Sequence, residues 1–363
     1  MYTKELDAIK KSNLLRVRNV YDETLIDMAS NDYLGLAGNK TLFTNSYEKI
    51  LKEQYHAPKA SLLVNGYSKF HEKFEKNLCM FNGFEAGVVV GSGFLANISM
   101  IEALVRKGDI LFIDEEYHAS GILATKLLEK NQVVVFEHNN PEDLKQKMQQ
   151  HKAKKRTLIA IEGIYSMGGD LAPKEIFTIA DESNAILMVD EAHSSGVIGE
   201  NLSGIFNHYG ITPKSNHIKM GTLGKAYGSY GAYILASAHI IEFLLNRAKA
   251  IIYTTAPSLF DIVLGNESLN YIQNNRTKLK KKIKERQELI RNELNIDAQS
   301  LIIAYEIGDN KKVLEIQALL KQKGYLVGAI RQPTVKSAII RLIAKTDVSM
   351  EHLQEVCQII KSY

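Results

Sequence analysis

The sequence predicts an α/β protein: a mostly parallel seven-stranded sheet with helices on both faces, followed by a small α+β domain at the C-terminal end. Three observations predict it. Seven short apolar runs, at 86–91, 109–114, 133–137, 157–162, 185–190, 217–221 and 231–236, show no polar alternation, as expected of strands buried on both faces. They alternate with helical patterns, which calls for βαβ connections. Residues 301–363 then read β-α-β-β-α. The last two of the seven runs are joined too tightly for a crossover helix, so one edge strand is expected to be antiparallel.

The chain of 363 residues suits a large domain plus a smaller one. The expected division is an N-terminal helix and leading segment at 1–45, a large domain at 46–260, a connecting helix at 261–295 and the small domain at 296–363. With 45% hydrophobic and 24% charged residues the chain can bury a sizeable core, and nothing points to disorder. A formal charge of +4 suits anionic substrates without arguing for nucleic acid. Cys79 and Cys357 lack metal-ligand spacing and read as small buried hydrophobes in a reducing cytosol. No apolar run approaches bilayer length, so a cytoplasmic protein without a membrane partner is expected. Residues 1–20 read as a charged helix whose partial stripe, Leu6, Ile9, Leu14 and Val17, packs on a partner or on the protein itself.

The chemistry concentrates at strand ends. Residues 220–229, Met-Gly-Thr-Leu-Gly-Lys-Ala-Tyr-Gly-Ser, end an apolar run in a small-residue turn that holds one amine at the mouth of the sheet. Burial there lowers a lysine pKa and frees its lone pair, which makes Lys225 the candidate Schiff-base lysine. The run at 185–190 delivers Asp190 to the same carboxyl edge, where open α/β sheets bind ligands. A buried carboxylate needs a partner, and the protonated ring nitrogen of pyridoxal phosphate would provide one. Residues 88–97, Val-Val-Val-Gly-Ser-Gly-Phe-Leu-Ala-Asn, imitate a dinucleotide fingerprint and would alone suggest a nicotinamide dehydrogenase. No acidic residue about twenty positions on reads as a ribose ligand. Because a helix N-terminus binds any phosphate, Ser92, Gly93 and Phe94 are assigned to the cofactor phosphate, with the Thr222 hydroxyl beside them.

From Asn31-Asp32-Tyr33-Leu34-Gly35-Leu36 to Arg341, with Asp190-Glu191-Ala192-His193 and the Lys225 motif between, the chain resembles the α-oxoamine synthases. These are fold-type I pyridoxal-phosphate enzymes that condense an amino acid with an acyl thioester and lose carbon dioxide. The resemblance implies that Lys225 carries the cofactor and that His118, in Glu116-Tyr117-His118-Ala119-Ser120, stacks on its ring. It implies that Asp190 pairs with the ring nitrogen and that His193 bonds the phenolic oxygen. Glu162 and Ser166 resemble polar contacts near the cofactor, a turn-forming Ser-x-Gly-Gly being the plainer reading of the second. Asn31 and Arg341 match residues that hold the amino acid's carboxylate, which a guanidinium grips in bidentate fashion. Thr254 and Thr255 match a segment that reaches the neighbouring subunit's phosphate, which implies a homodimer with active sites at the subunit interface.

Residues 329–335, Ala-Ile-Arg-Gln-Pro-Thr-Val, resemble the family's biotin-pathway branch, which joins L-alanine to a pimeloyl thioester of coenzyme A or of an acyl-carrier protein. The alternatives are a sibling that uses glycine or serine with another acyl thioester, and a non-catalytic partner subunit of the same fold. Two departures stand out. The 56–70 segment keeps only Gly66 where the family has several glycines and an arginine, and no glycine precedes Arg341. The basic stretch 278–286 reads either as a solvated helix face or as a docking surface for coenzyme A or an acidic carrier protein.

Overall fold

The computed structural model describes residues 1–12 and 15–363, which leaves Leu14 of the predicted N-terminal stripe outside the described residues. The described strands are β1 (Ile26–Asp27), β2 (Ala86–Val90), β3 (Ile110–Asp114), β4 (Val133–Phe136), β5 (Thr157–Glu162), β6 (Ile186–Asp190), β7 (His217–Thr222), β8 (Ala232–Ala236), β9 (Ile302–Glu306), β10 (Tyr325–Leu326), β11 (Gly328–Ile330) and β12 (Ile339–Ile343). The seven predicted runs form one sheet in the order β2-β8-β7-β6-β5-β3-β4. Strands β3 to β7 pair in parallel, and β8 runs antiparallel to both of its neighbours.

The antiparallel strand is therefore one in from the edge, which corrects the expectation of an antiparallel edge strand. The tight link after β7 does reverse the chain, but β2 then pairs with the far side of β8 and takes the edge. Burial on both faces follows from the period of two in a strand. Val89, Phe112, Ile159, Ile161, Leu187 and Val189 enter one core layer. Val88, Leu111, Ile113, Leu158, Met188 and Met220 enter the other.

After β8 the chain runs through two long helices, Leu259–Asn274 and Arg276–Leu294, which break at Asn275 where one connecting helix was expected. The second packs on the C-terminal helix Met350–Lys361, and the C-terminal sheet β11-β12-β9 is all antiparallel. Arg286, in the basic stretch, is buried and donates to the carbonyls of Lys345, Thr346 and Val348. Lys281 and Lys284 face solvent and pair with Glu285 and Glu288 one turn on. The remainder follows the predicted β-α-β-β-α order with one addition, the two-residue β10, which pairs in parallel with β1.

That pairing ties the chain start to the C-terminal sheet. Ile343 N–H donates to the Met28 carbonyl and Thr346 N–H to the Tyr33 carbonyl, both at 2.9 Å, so the turn carrying Asn31 and Tyr33 lies beside β12. Gly35 makes this turn possible: its φ is +67°, and a Cβ there would lie 2.4 Å from Asp347 Cβ. The N-terminal helix is shorter than expected, Thr3–Lys11, and buries none of its side chains; Leu6, Ile9 and Val17 are all exposed, so the stripe does not pack on the protein's own body. So few apolar side chains on so charged a helix bury too little surface to hold it there. Cys79 and Cys357 are buried free thiols, as expected.

Candidate active site

Five strands deliver the candidate residues to one carboxyl edge of the sheet. Glu162 and Asp190 end β5 and β6 and face each other in register, and Asp190 also pairs with Met220 of β7, five residues before Lys225. His118 follows β3, and Ser92 follows β2 as the N-cap of the helix Gly93–Leu104, its hydroxyl accepting Leu95 N–H. A Cβ on Gly93 would lie 4.0 Å from Thr222 Cβ, so the start of that helix and the end of β7 are neighbours. Gly228 closes the Lys225 turn at φ +59°, where a Cβ would come within 2.4 Å of the Ala37 backbone nitrogen.

Lys225 Nζ lies 2.7 Å from His193 Nε2. Desolvation drives its pKa down from 10.5 to about 8, against the pull of Asp190 and Glu162 and with the help of the Arg341 charge. His193 is buried, and burial first, then the Lys225, Arg341 and His118 charges, hold it well below the usual imidazole range and so neutral. Glu162 is held well above the usual carboxyl range by burial and by the neighbouring Asp190. It accepts the His118 backbone N–H, while its Oε1 is buried without a hydrogen-bond partner among the described residues.

Asp190 is buried and held on both oxygens: Ala192 N–H donates to Oδ1 at 3.0 Å and Asn97 Nδ2 to Oδ2 at 2.8 Å. Asn97 was not foreseen. It sits on the helix after β2, also donates to Ser120 Oγ at 2.9 Å, and accepts the Tyr117 hydroxyl at 2.8 Å. Ser120 Oγ in turn lies 2.7 Å from His118 Nδ1, which also accepts the Ser120 N–H. With Nδ1 an acceptor, the hydrogen of a neutral His118 sits on Nε2. Burial is the main cause of the lowered His118 pKa.

Arg341, on β12, is buried; its Nη2 donates to Asn31 Oδ1 at 3.0 Å and its Nε to the Ser166 carbonyl at 2.8 Å. The Ser166 contact with Arg341 is therefore through its backbone. In place of a glycine before Arg341, Ile340 is buried on β12 between β11 and β9. Tyr33, also not foreseen although it lies inside the Asn31–Leu36 motif, is wholly buried, with its hydroxyl against His193 Nδ1. A third unforeseen group lies behind the site. His138 Nδ1 is 3.0 Å from Asp114 Oδ1 and its Nε2 is 2.8 Å from Asp170 Oδ2, which ties the turn before His118 to the loop that carries Ser166. Those two carboxylates raise its pKa to about 10 against the opposing effect of burial.

Thr254 and Thr255 do not join this group within one chain. Thr254 is half-buried, and Thr255 is exposed and bridges Ser61 in the 56–70 segment, which closes into a tight helical turn at Leu62–Gly66.

Residues 23–360 match the aminotransferase class I and II family. The chain belongs to that family. It is 44% identical over 364 residues to the 8-amino-7-oxononanoate synthase of Helicobacter pylori, an alignment covering 100% of this chain and 97% of that one. A solved 8-amino-7-oxononanoate synthase from Francisella tularensis superposes with a TM-score of 0.76 at 26% identity, over 94% of this chain and 98% of the other. A serine palmitoyltransferase solved with pyridoxal phosphate as its internal aldimine shares the fold, with a TM-score of 0.90 at 21% identity over 99% of this chain and 96% of that one. The fold-type I architecture expected from the sequence is thus the observed one.

The residues present fit pyridoxal phosphate on their own chemistry. The amine of Lys225 is desolvated; among the described residues no cation is bonded to the buried Asp190 carboxyl group, and the Glu162 Oε1 lacks a partner. The first-turn N–H groups of Gly93 and Phe94, which no helical carbonyl can satisfy, open a helix whose Gly93 stands beside the Thr222 side chain. Among the described residues no group of histidine, cysteine and carboxylate side chains is arranged to hold a metal, and no helix is long and apolar enough to cross a membrane.

Proposed function

We propose that this chain condenses L-alanine with a pimeloyl thioester to give 8-amino-7-oxononanoate, carbon dioxide and the free thiol, the step that 8-amino-7-oxononanoate synthases contribute to biotin biosynthesis. The observation that carries the reading is the grouping of a desolvated Lys225 amine, the buried Asp190 and the Arg341–Asn31 pair at one sheet edge. It occurs in a chain 44% identical, end to end, to such a synthase.

The cofactor is pyridoxal phosphate, which when bound supplies an electron sink for the electrons left at Cα as a proton or carbon dioxide departs. Lys225 would hold it, and its free amine would take the Cα proton of the amino acid. An amine with a pKa near 8 is matched to that task at neutral pH. Asp190, fixed by Asn97 and the Ala192 N–H, would keep the ring nitrogen protonated. His118, its orientation fixed by the Asn97–Ser120 chain, would pack on the bound group. His193 would donate to the phenolic oxygen, with Glu162 and Ser166 on the same edge.

The amino acid's carboxylate is gripped by Arg341 and the Asn31 amide, whose mutual contact at 3.0 Å shows how close the two stand. Ser92, Gly93, Phe94 and Thr222 hold the phosphate. Thr254 and Thr255 serve the phosphate of a second copy, so the active unit is a homodimer. Supporting this, their segment pairs with residues 60 and 61 beside a strongly exposed apolar group: Leu63 at 53%, Val64 at 77% and Tyr253 at 80%.

The test is turnover of the purified protein with L-alanine, glycine or L-serine, each paired with pimeloyl coenzyme A and with the pimeloyl carrier protein. Product and carbon dioxide are counted together. Equal release of 8-amino-7-oxononanoate and carbon dioxide with alanine alone is expected. Turnover restricted to glycine or serine would overturn the substrate assignment.

A further inference from the structure

Three residues of the site form a line with a direction. Arg341 carries donors only, and its Nη2 already occupies Asn31 Oδ1. The Tyr33 phenol has one proton to donate, and two acceptors lie in reach. Asn31 Oδ1 stands 3.3 Å away and already accepts Arg341 Nη2, whereas His193 Nδ1 lies in close contact. The proton therefore points to Nδ1. A neutral imidazole that accepts at Nδ1 carries its hydrogen on Nε2, and Nε2 faces Lys225 Nζ at 2.7 Å. The contact is satisfied only if Nζ offers a lone pair.

We infer that Tyr33 is a positioning residue that fixes the His193 tautomer with its hydrogen on Nε2, so that the carboxylate-binding Arg341 biases Lys225 toward its neutral, reactive amine. The inference deepens the reading of the site given above and rests on Lys225 being its reactive amine. It also gives Tyr33 a part in the chemistry without contact with the reacting atoms. Its burial supports the role, since a phenol at 0% exposure has no water to compete for its proton. The charged and titratable groups that face Lys225 are Asp190 and Glu162 from β6 and β5, Arg341 from β12, and His118 and His193 from the turns after β3 and β6. Tyr33→Phe leaves all of them in place.

The experiment uses the full-length, cofactor-free chain. Reductive methylation with formaldehyde and cyanoborohydride is followed across pH 6.5 to 10.5 by mass spectrometry of the Lys225 peptide, with the surface lysines of the same digest as internal controls. The parent chain should show a midpoint near 8, the value desolvation gives Lys225. Tyr33→Phe should raise it by about one unit, a tenfold loss of neutral amine at fixed pH. Asn31→Ala, which removes the weaker acceptor of the Tyr33 proton together with the Oδ1 that Arg341 Nη2 meets but keeps Tyr33 and His193, should leave the midpoint in place. An unchanged midpoint in Tyr33→Phe, or the same shift in Asn31→Ala, would overturn the inference.

The 15N resonances of the His193 ring in the parent chain give a second reading that needs no variant. An unprotonated Nδ1 is expected, and a protonated Nδ1 would overturn the tautomer assignment. Neither readout involves turnover. A failed condensation assay with these results intact would sink the proposed reaction and leave the role of Tyr33 standing.

Discussion

Replacing Lys225 by methionine in the cofactor-free chain should change how stability depends on pH, by an amount the site itself sets. In the folded chain the amine titrates near 8, against an ordinary value of 10.5, chiefly because burial disfavours the ammonium form. A depressed base is a cost to folding at low pH. Between about pH 8 and 10.5 the unfolded chain holds a proton that the folded chain has released, so stability rises with pH across that window. The depression of about 2.5 units corresponds to roughly 3 kcal/mol, carried in full below pH 8 and relieved at about 1.4 kcal/mol per unit above it. Methionine has nothing to titrate, so Lys225→Met should be the more stable chain at pH 7, and its margin should shrink by about 2 kcal/mol between pH 8 and 9.5. Urea unfolding of both chains at matched pH values measures the margin. Carrying Glu162→Gln in both removes the neighbour whose own titration Lys225 influences. A margin constant over that range would refute the claim that desolvation activates this lysine.

Other perturbations test the surroundings. Asn97→Ala strips a donor from Asp190 and from Ser120 and leaves the Tyr117 hydroxyl unpaired. Losing one hydrogen bond to a charged group, about 1.5 to 3 kcal/mol, should weaken cofactor binding about tenfold or more in an absorbance titration, while Asn97→Asp would fail to restore it because it returns an acceptor. His138→Gln removes an imidazole whose folded pKa, about 10, exceeds the unfolded 6.5. Its stabilisation is present in full below pH 6.5 and lost as pH rises toward 10, so the variant's deficit, about 2 to 4 kcal/mol after screening at the half-exposed Asp170, should fade across that range in urea titrations. Glu75 gives the same slope over a lower pH window, but because the fold holds its neutral form. Buried under the β2 edge, it accepts the Tyr67 hydroxyl and the Val89 N–H, and burial lifts its pKa from 4.5 to about 7. The unfolded chain gives up that proton first, so folding loses stability as pH rises from 4.5 to 7. Glu75→Gln should therefore gain about 3 kcal/mol relative to the parent between pH 4.5 and 8 in the same measurement.

What the sequence discloses is what is written locally. The strand runs, the Asp190 and Lys225 positions at strand ends and the start of the helix after β2 are each readable within about ten residues, because strand burial and turn chemistry are local properties. Asn97 could not be read that way. It lies in a predominantly apolar helix, and its partner Asp190 is 93 residues on, so only the parallel sheet brings them together. Tyr33 and His193 are 160 residues apart and meet only because β1 pairs with β10 and draws the chain start across the site. The pairing of β2 with β8 fails for the same reason, and with it the expected edge strand: the tight turn after β7 reveals the reversal but not which strand closes over it. The N-terminal helix fails differently, because a spacing of apolar residues fixes a face and says nothing about whether enough surface exists to bury.

The charges at the sheet edge explain why so much of the site depends on the C-terminal sheet. Two carboxyl groups stand beside Lys225, and both would raise its pKa; the value nevertheless falls to about 8, so desolvation prevails. Part of the reason is that burial and the neighbouring Asp190 hold the Glu162 pKa well above the usual carboxyl range, which weakens its pull on the amine. The rest is the lid on the site. Arg341 adds a fixed positive charge from β12, and the Asn31–Tyr33 turn, bonded to that sheet through Thr346 and Ile343, excludes the water that would otherwise solvate an ammonium. Loosening β12 should thus raise the Lys225 pKa as well as weaken carboxylate binding. Thr346→Pro, which removes the N–H bonded to the Tyr33 carbonyl without touching a site side chain, should move the methylation midpoint of Lys225 upward together with the alanine dissociation constant. A change in the dissociation constant alone would mean that the C-terminal sheet binds substrate but does not tune the amine.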